Sequence, residues 1–148
     1  MKMTLNKGEF DRQIREAINK CIKAGGDLVE KSEQIVTVVT DKLMEESIKR
    51  SPKDEAFLEE SHERLIKKSA ILENIEGHVF IPANSPASDY AMYMHEGTYN
   101  LGKESQIKQD AVGVKVGRKF LERAFDDNVR AFGLYILKEL RGFFKYGH

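Results

Sequence analysis

Along residues 119–144 apolar side chains return every three or four positions, at Leu121, Ala124, Phe125, Val129, Phe132, Ile136, Leu140 and Phe143. Asp126, Asp127, Arg130, Lys138, Glu139 and Arg141 fall between them. That period predicts one long amphipathic helix over 118–144 with its apolar stripe turned to a core. Gly133 inside it costs ~1 kcal/mol relative to alanine, which points to close packing against another element. The same rhythm occurs twice in the first third of the chain. Phe10, Ile14, Ala17, Ile18, Cys21 and Ile22 predict a helix over 10–23, with Cys21 an inert thiol on its apolar face. After Gly25-Gly26, Asp27 is placed to cap a helix whose buried face runs through Leu28, Ile35, Val36, Val39, Leu43, Met44 and Ile48. Ser51 precedes Pro52 and is thereby pushed out of the helical region, so this helix ends at Arg50. The β-branched run 35–39 is compatible with a strand, but its polar flanks keep a helical period.

Period-two patterning is weaker. Asp54 can cap a short turn, and Phe57 with Leu58 can dock on the core. Residues 65–73 and 77–81 read as two strands of a hairpin turning through 74–77, and Pro82 ends the second. Residues 82–88 are a loop by composition. Segment 103–111 is polar, lacks clear periodicity and reads as a mobile loop despite the weak helical potential of 105–110, with a short strand at 112–116. The order helices, strands, helix defines an α+β fold in which amphipathic helices pack on a small antiparallel sheet. One domain accommodates it: a helical half at 1–50, strands and loops at 51–117, and the C-terminal helix.

The most informative stretch is 88–102, which gathers Tyr90, Tyr93, His95 and Tyr99 around a Gly-Thr step and ends at Gly102. Read as a helix, it has Asp89 as N-cap, two turns over 90–96, and Gly97 in the left-handed position that closes a helix. Read as a strand, Tyr90, Met92, Met94 and Glu96 share one face; the good helix formers Met and Ala favour the helix.

Charge removes one class of partner. The chain has 24 basic and 24 acidic residues, and each half, divided after Asn74, lies within one charge of neutral. No polyanion-binding face is implied, so nucleic acid is not expected as primary partner. At 41% apolar and 32% charged the chain is neither disordered nor membrane-like, which predicts a soluble protein without a membrane partner. The polar N-terminal decapeptide lacks a secretory apolar core and the single cysteine has no internal disulfide partner, which together predict an intracellular origin.

Candidate chemistry is sparse. His62, His78, His95 and His148 are the histidines, and none stands in a zinc-type spacing. His95-Glu96 is the one pair that suggests an acid and a base, yet neighbours on a helix point about 100° apart. A C-terminal cation favoured by the helix dipole is the plainer role for His95. Gly113 and Gly117 lack the spacing and the lysine of a phosphate loop. Neither a cofactor nor an enzymatic activity is expected. Tyrosine and methionine are the residues that protein interfaces favour, so Tyr90, Tyr93, His95, Thr98 and Tyr99 are interaction candidates. The C-terminal Phe144 and Tyr146 join them, because Phe144 lies about 100° round from the core-facing Phe143.

Across about residues 27–144 the order of features resembles the head-tail joining or tail-completion proteins of long-tailed bacteriophages. A helical half ending at a Ser-Pro step corresponds to Lys49-Arg50-Ser51-Pro52. A Tyr-Ala-x-Tyr-x-x-Glu-x-Gly-Thr segment is matched loosely by Tyr90, Ala91, Tyr93, Glu96, Gly97 and Thr98. A Gly-x-x-Phe-Leu-x-x-Ala lead into the last helix is matched by Gly117, Phe120, Leu121 and Ala124. The chain departs from the family's Thr-Gly-x-Leu after the proline, having Asp54-Glu55-Ala56-Phe57-Leu58 there. The resemblance implies a virion structural protein, made in the host cytoplasm and assembled at the neck as a homo-oligomeric ring between the connector and the tail tube. An adaptor that binds a partner without forming rings, and an enzyme using His95 and Glu96, are the alternatives from other classes.

Overall fold

In the computed structural model, which describes residues 12, 14–16, 19, 26–53, 57–69 and 74–145, the chain runs α1 (Gly26–Arg50), β1 (Glu63–Ser69), β2 (Asn74–Phe80), α2 (Ser88–Glu96), α3 (Lys103–Val112) and α4 (Phe120–Lys145). The architecture is α+β, with a long C-terminal helix. The helix predicted over 10–23 falls largely outside the described residues, as does Cys21; positions 12, 14–16 and 19 are helical, and Ile14 packs on the core.

The predicted apolar stripes meet. Leu28, Ile35, Val39 and Leu43 of α1 share one buried cluster with Leu121, Phe125, Phe132, Ile136 and Leu140 of α4. Lys31 bonds Glu139 at 2.9 Å while Arg50 bonds Asp127 at 3.1 Å, so the helices run antiparallel. Gly133 is buried in α4, as close packing requires. The run 35–39 is helical because α1 is packed on two sides, by α4 and by the hairpin. Polar groups on its buried face are satisfied locally: the Ser32 hydroxyl donates to the Leu28 carbonyl at 2.7 Å, and Thr40 to Val36 at 2.6 Å. The helix ends at Arg50, as the Ser-Pro step dictates.

The hairpin exists but is shifted. Its antiparallel register runs from Glu63↔Phe80 to Ser69↔Asn74, so Asn74–Gly77 are strand rather than turn, and the connection at 70–73 lies outside the described residues. Packing overrides the turn chemistry of Asn and Gly: a Cβ on Gly77 would lie 1.8 Å from Thr40 Oγ1, so glycine is what lets β2 cross α1 this closely. Leu58 docks on the core as expected, whereas Phe57, at φ 62°, turns outward and is 58% exposed.

The section between hairpin and last helix differs most from expectation. Segment 103–112 is a helix, not a loop, and no strand forms at 112–116; Gly113 closes α3 at φ 69° with its N–H on the Gln109 carbonyl. Ser105 is the buried residue of α3, so little apolar burial marks this helix in the sequence. Polar bonds position it. The Ser105 hydroxyl donates to the Lys53 carbonyl at 3.0 Å and accepts from the Lys53 N–H at 2.9 Å. Lys108 reaches the Ile48 and Ser51 carbonyls at 2.6 and 2.7 Å, closing the end of α1, and pairs with Glu59.

Candidate functional site

The stretch that carries the tyrosines folds as α2, settling the two local readings for the helix. Its N-terminus is not capped by Asp89: Ala87 takes that place without a side-chain bond, and Asp89 sits in the first turn, where its charge favours the dipole. Gly97 does not adopt a left-handed conformation either; its φ is −71° and its ψ 162°. The reason is visible in the accounting of the last four carbonyls. Gly97 N–H donates to Tyr93 at 2.7 Å, the Tyr99 hydroxyl to Met94 at 2.7 Å, Lys119 N–H to His95 at 2.8 Å and Arg118 Nε to Glu96 at 3.2 Å. Gly97 continues the helical bonding pattern and the other three carbonyls are satisfied from outside, so no left-handed turn is needed to close the helix. Glycine is still required: a Cβ at 97 would meet the Tyr93 carbonyl oxygen at 2.5 Å.

Residues 117–120 therefore dock on the end of α2, joining two of the three segments on which the resemblance rests. Glu96 accepts from Lys119 at 2.7 Å and from His95 Nδ1 at 2.6 Å. Those two bonds, Lys119 first, hold the Glu96 carboxyl below its ordinary value, and the Glu96 bond raises Lys119. Adjacent positions on the helix thus converge after all, because Glu96 ends the helix and its side chain bends back. His95 itself is buried, at 3% exposure, with its ring edge-on to Phe120 at 5.1 Å and 81°. Burial lowers its pKa, opposed by the Glu96 bond, so it is a neutral imidazole and not the exposed helix-end cation the sequence suggested.

The bond to an ionised carboxylate places the His95 proton on Nδ1 and leaves Nε2 as an acceptor; that atom is buried with no partner among the described residues. His62 lies 5.8 Å from the same Phe120 ring. Its Nδ1 faces the Leu58 and Glu59 carbonyls at 2.9 and 3.2 Å and must donate, so Nε2 accepts from the Ser47 hydroxyl at 2.8 Å. Burial lowers the His62 pKa as well. Nothing local in the sequence signals this Ser-His pair, since residues 47 and 62 come together only through the turn at 58–61. Ser47 has no exposed surface, so its hydroxyl has no route to a substrate; the pair fills the polar needs of the core beneath Phe120. His78 is buried too, with Nε2 on Glu76 at 2.9 Å. No group of three or more His, Cys, Asp or Glu is arranged to hold a metal, and no helix is long and apolar enough to cross a membrane, among the described residues.

What the site offers to solvent is aromatic. Tyr93 is 56% exposed, its neighbour Met92 is equally open, and Tyr99 lies 6.0 Å from the Tyr93 ring with its hydroxyl committed to the helix end. Thr98 is exposed beside them, while Tyr90 is half-buried and packs on the core. Phe144, at the far end of α4, is exposed and meets Phe143 edge-on at 6.0 Å; Tyr146 lies outside the described residues. Of the interaction candidates, Tyr93, Thr98 and Phe144 are thus surface residues, Tyr90 and Tyr99 support them, and His95 belongs to the interior. No family model, curated protein or solved structure matches the chain.

Proposed function

We propose that this chain is a structural virion protein of a tailed bacteriophage or prophage, a tail-completion subunit that joins head to tail as part of a ring at the neck. One observation carries the reading. Two of the three segments on which the resemblance rests, with α3 between them in the chain, form a single joint through Lys119, His95, Glu96 and Arg118, with Tyr93 and Thr98 standing exposed beside it. In this role the motifs serve to build a contact surface, and no cofactor or turnover is involved. Partners are the connector and tail-tube proteins and further copies of the chain; the protein is made in the host cytoplasm and ends in the virion.

A joining piece needs contacts at well separated places. Phe120 and Phe144 begin and end a helix, and 24 steps at the helical rise put them about 36 Å apart. Charge at the distal contact is the test. Phe144→Glu is expected to leave monomer stability within ~0.5 kcal/mol, as for other surface changes, yet to block joining when it complements a phage lacking this protein. Electron microscopy should then show separate filled heads and free tails; abundant tailed, infectious particles would contradict the reading.

A further inference from the structure

β1 is an open edge. Glu63, Arg64, Leu65, Lys67 and Lys68 are all exposed, whereas its partner β2 buries His78 and Val79. Among the described residues the backbone of β1 bonds only to β2, so its alternate N–H and C=O groups point away from the sheet without a partner. A two-stranded ribbon is marginal by itself, and such an edge is a template for a further strand.

The side chains of β1 divide between two faces. Arg64 and Lys68 turn toward α1, where Arg64 pairs with Asp41 and Lys68 with Glu33 at 2.7 Å; Ile66 stands opposite Gly77, which lies against Thr40. Glu63, Leu65 and Lys67 therefore share the other face. Leu65 is 42% exposed, and neither Glu63 nor Lys67 makes an ion pair among the described residues. Glu76, the cross-strand neighbour of Lys67, is engaged by Asn74 and His78 instead, both at 2.9 Å.

We propose that β1 pairs with β1 of a second copy, antiparallel and centred on Leu65, so that two hairpins join into one four-stranded sheet. Charge selects this register. A twofold axis normal to the sheet keeps both α1 helices on one face and sets some residue of β1 opposite its own copy. Centring on Glu63, Arg64, Lys67 or Lys68 puts like charges face to face, and centring on Ile66 opposes Arg64 to Lys68; both are destabilising. Ser69 is the last residue of the strand and leaves too little to pair. Centring on Leu65 brings the two open leucines together, sets Arg64 beside Ile66, and places Glu63 of each copy opposite Lys67 of the other. Basic residues on an edge strand discourage pairing in general, and here they leave one register open. The contact is isologous and closes at two copies, so it is not the side-to-side contact of a ring and does not rest on the neck reading. It is small, which makes the dimer weak, with a dissociation constant of ~0.1–1 mM.

Sedimentation velocity of the full chain at up to ~1 mM tests the proposal. Wild type is expected to form a dimer as concentration rises. Glu63→Lys and Lys67→Glu each set like charges opposite at two symmetry-related places and should each weaken the dimer about tenfold. An equimolar mixture of the two variants should dimerise again, and so should a chain carrying both changes, which a merely misfolded variant would not do. Register has its own readout. In a Cys21→Ser background Leu65→Cys should oxidise to a covalent dimer, because opposite Cβ atoms stand ~4.5–5.5 Å apart, whereas Lys67→Cys, which faces Glu63 of the other copy, should not. A wild type that stays monomeric at ~1 mM, single variants that dimerise like wild type, a mixture that stays monomeric, or cross-linking no faster at position 65 than at 67 would each overturn it.

Discussion

The α1–α4 seam and the α2–α3 cap are built by opposite means. Phe125, Phe132, Ile136 and Leu140 of α4 interlock with Ile35, Val39 and Leu43 of α1, and ion pairs mark only the ends. In the cap, α3 buries Ser105 and is held by bonds to carbonyls of α1 and the 51–53 turn; α2 ends with three of its last four carbonyls accepting from beyond the helix and its cap residue. Burial of carbon is non-directional and tolerates sliding, whereas each carbonyl bond fixes a place. The seam supplies stability, and the cap supplies the position of an exposed aromatic surface.

Removing carbon from the seam should therefore cost most. Phe125→Ala is expected to lower stability by ~3–5 kcal/mol, read as a shifted urea midpoint with unchanged slope. Lys108→Met attacks the cap by taking the ammonium donor from the Ser51 carbonyl, the Ile48 carbonyl keeping its bond from the Ser51 hydroxyl, and should cost ~1–3 kcal/mol. Its hydrogen-exchange signature is the sharper observable: amides of 103–112 should exchange faster while those of α4 keep their protection. A uniform loss across both would mean that cap and seam are one cooperative unit. Gly97→Val should cost about 1–2 kcal/mol, through crowding of the Tyr93 carbonyl and not through a lost left-handed turn. Gly97→Ala should carry most of that penalty, since the clash is at Cβ; a silent alanine would show that the helix end yields freely.

Acid gives the gentlest probe. His62 and His95 are buried and their folded pKa values are lowered from 6.5, so as pH falls through 6.5 the unfolded chain takes up protons that the folded one refuses. Stability should be fully present above that pH and decline below it, down to the lowered folded values. His95→Gln should flatten the decline without abolishing it, because His62 remains. A stability profile that does not change between pH 7 and pH 5 would contradict the burial of both rings.

The contrast between the regions also explains what could be read in the sequence. The α4 stripe was legible residue by residue, since side chains at a 3.6 period meet a core whatever else the chain does, and the end of α1 was legible because Pro52 constrains Ser51 chemically. α3 was not, because Lys108 and Ser105 stabilise it through partners 49 to 60 residues away, and such bonds leave no periodic trace. Asn74 and Gly77 signalled a turn, while their actual roles are pairing with Ser69 and making room for Thr40. At the candidate site Gly97 was legible as a glycine position, but for the wrong reason: it avoids a clash with the Tyr93 carbonyl and does not take the left-handed turn expected of it. The docking of 117–120, which turns His95 inward and bends Glu96 back onto it, is tertiary and had no local signal.

Whether the exposed surface beside the cap works as proposed is decided most directly by mass. The full chain would be combined with the portal and tail-tube proteins that the proposed neck role assigns to it, and the particles weighed by native mass spectrometry. The account predicts complexes containing several copies of this chain at one fixed stoichiometry, lost or depleted when Tyr93 and Phe144 are changed to glutamate. Only free monomers in that mixture, with the partners themselves assembled, would contradict it.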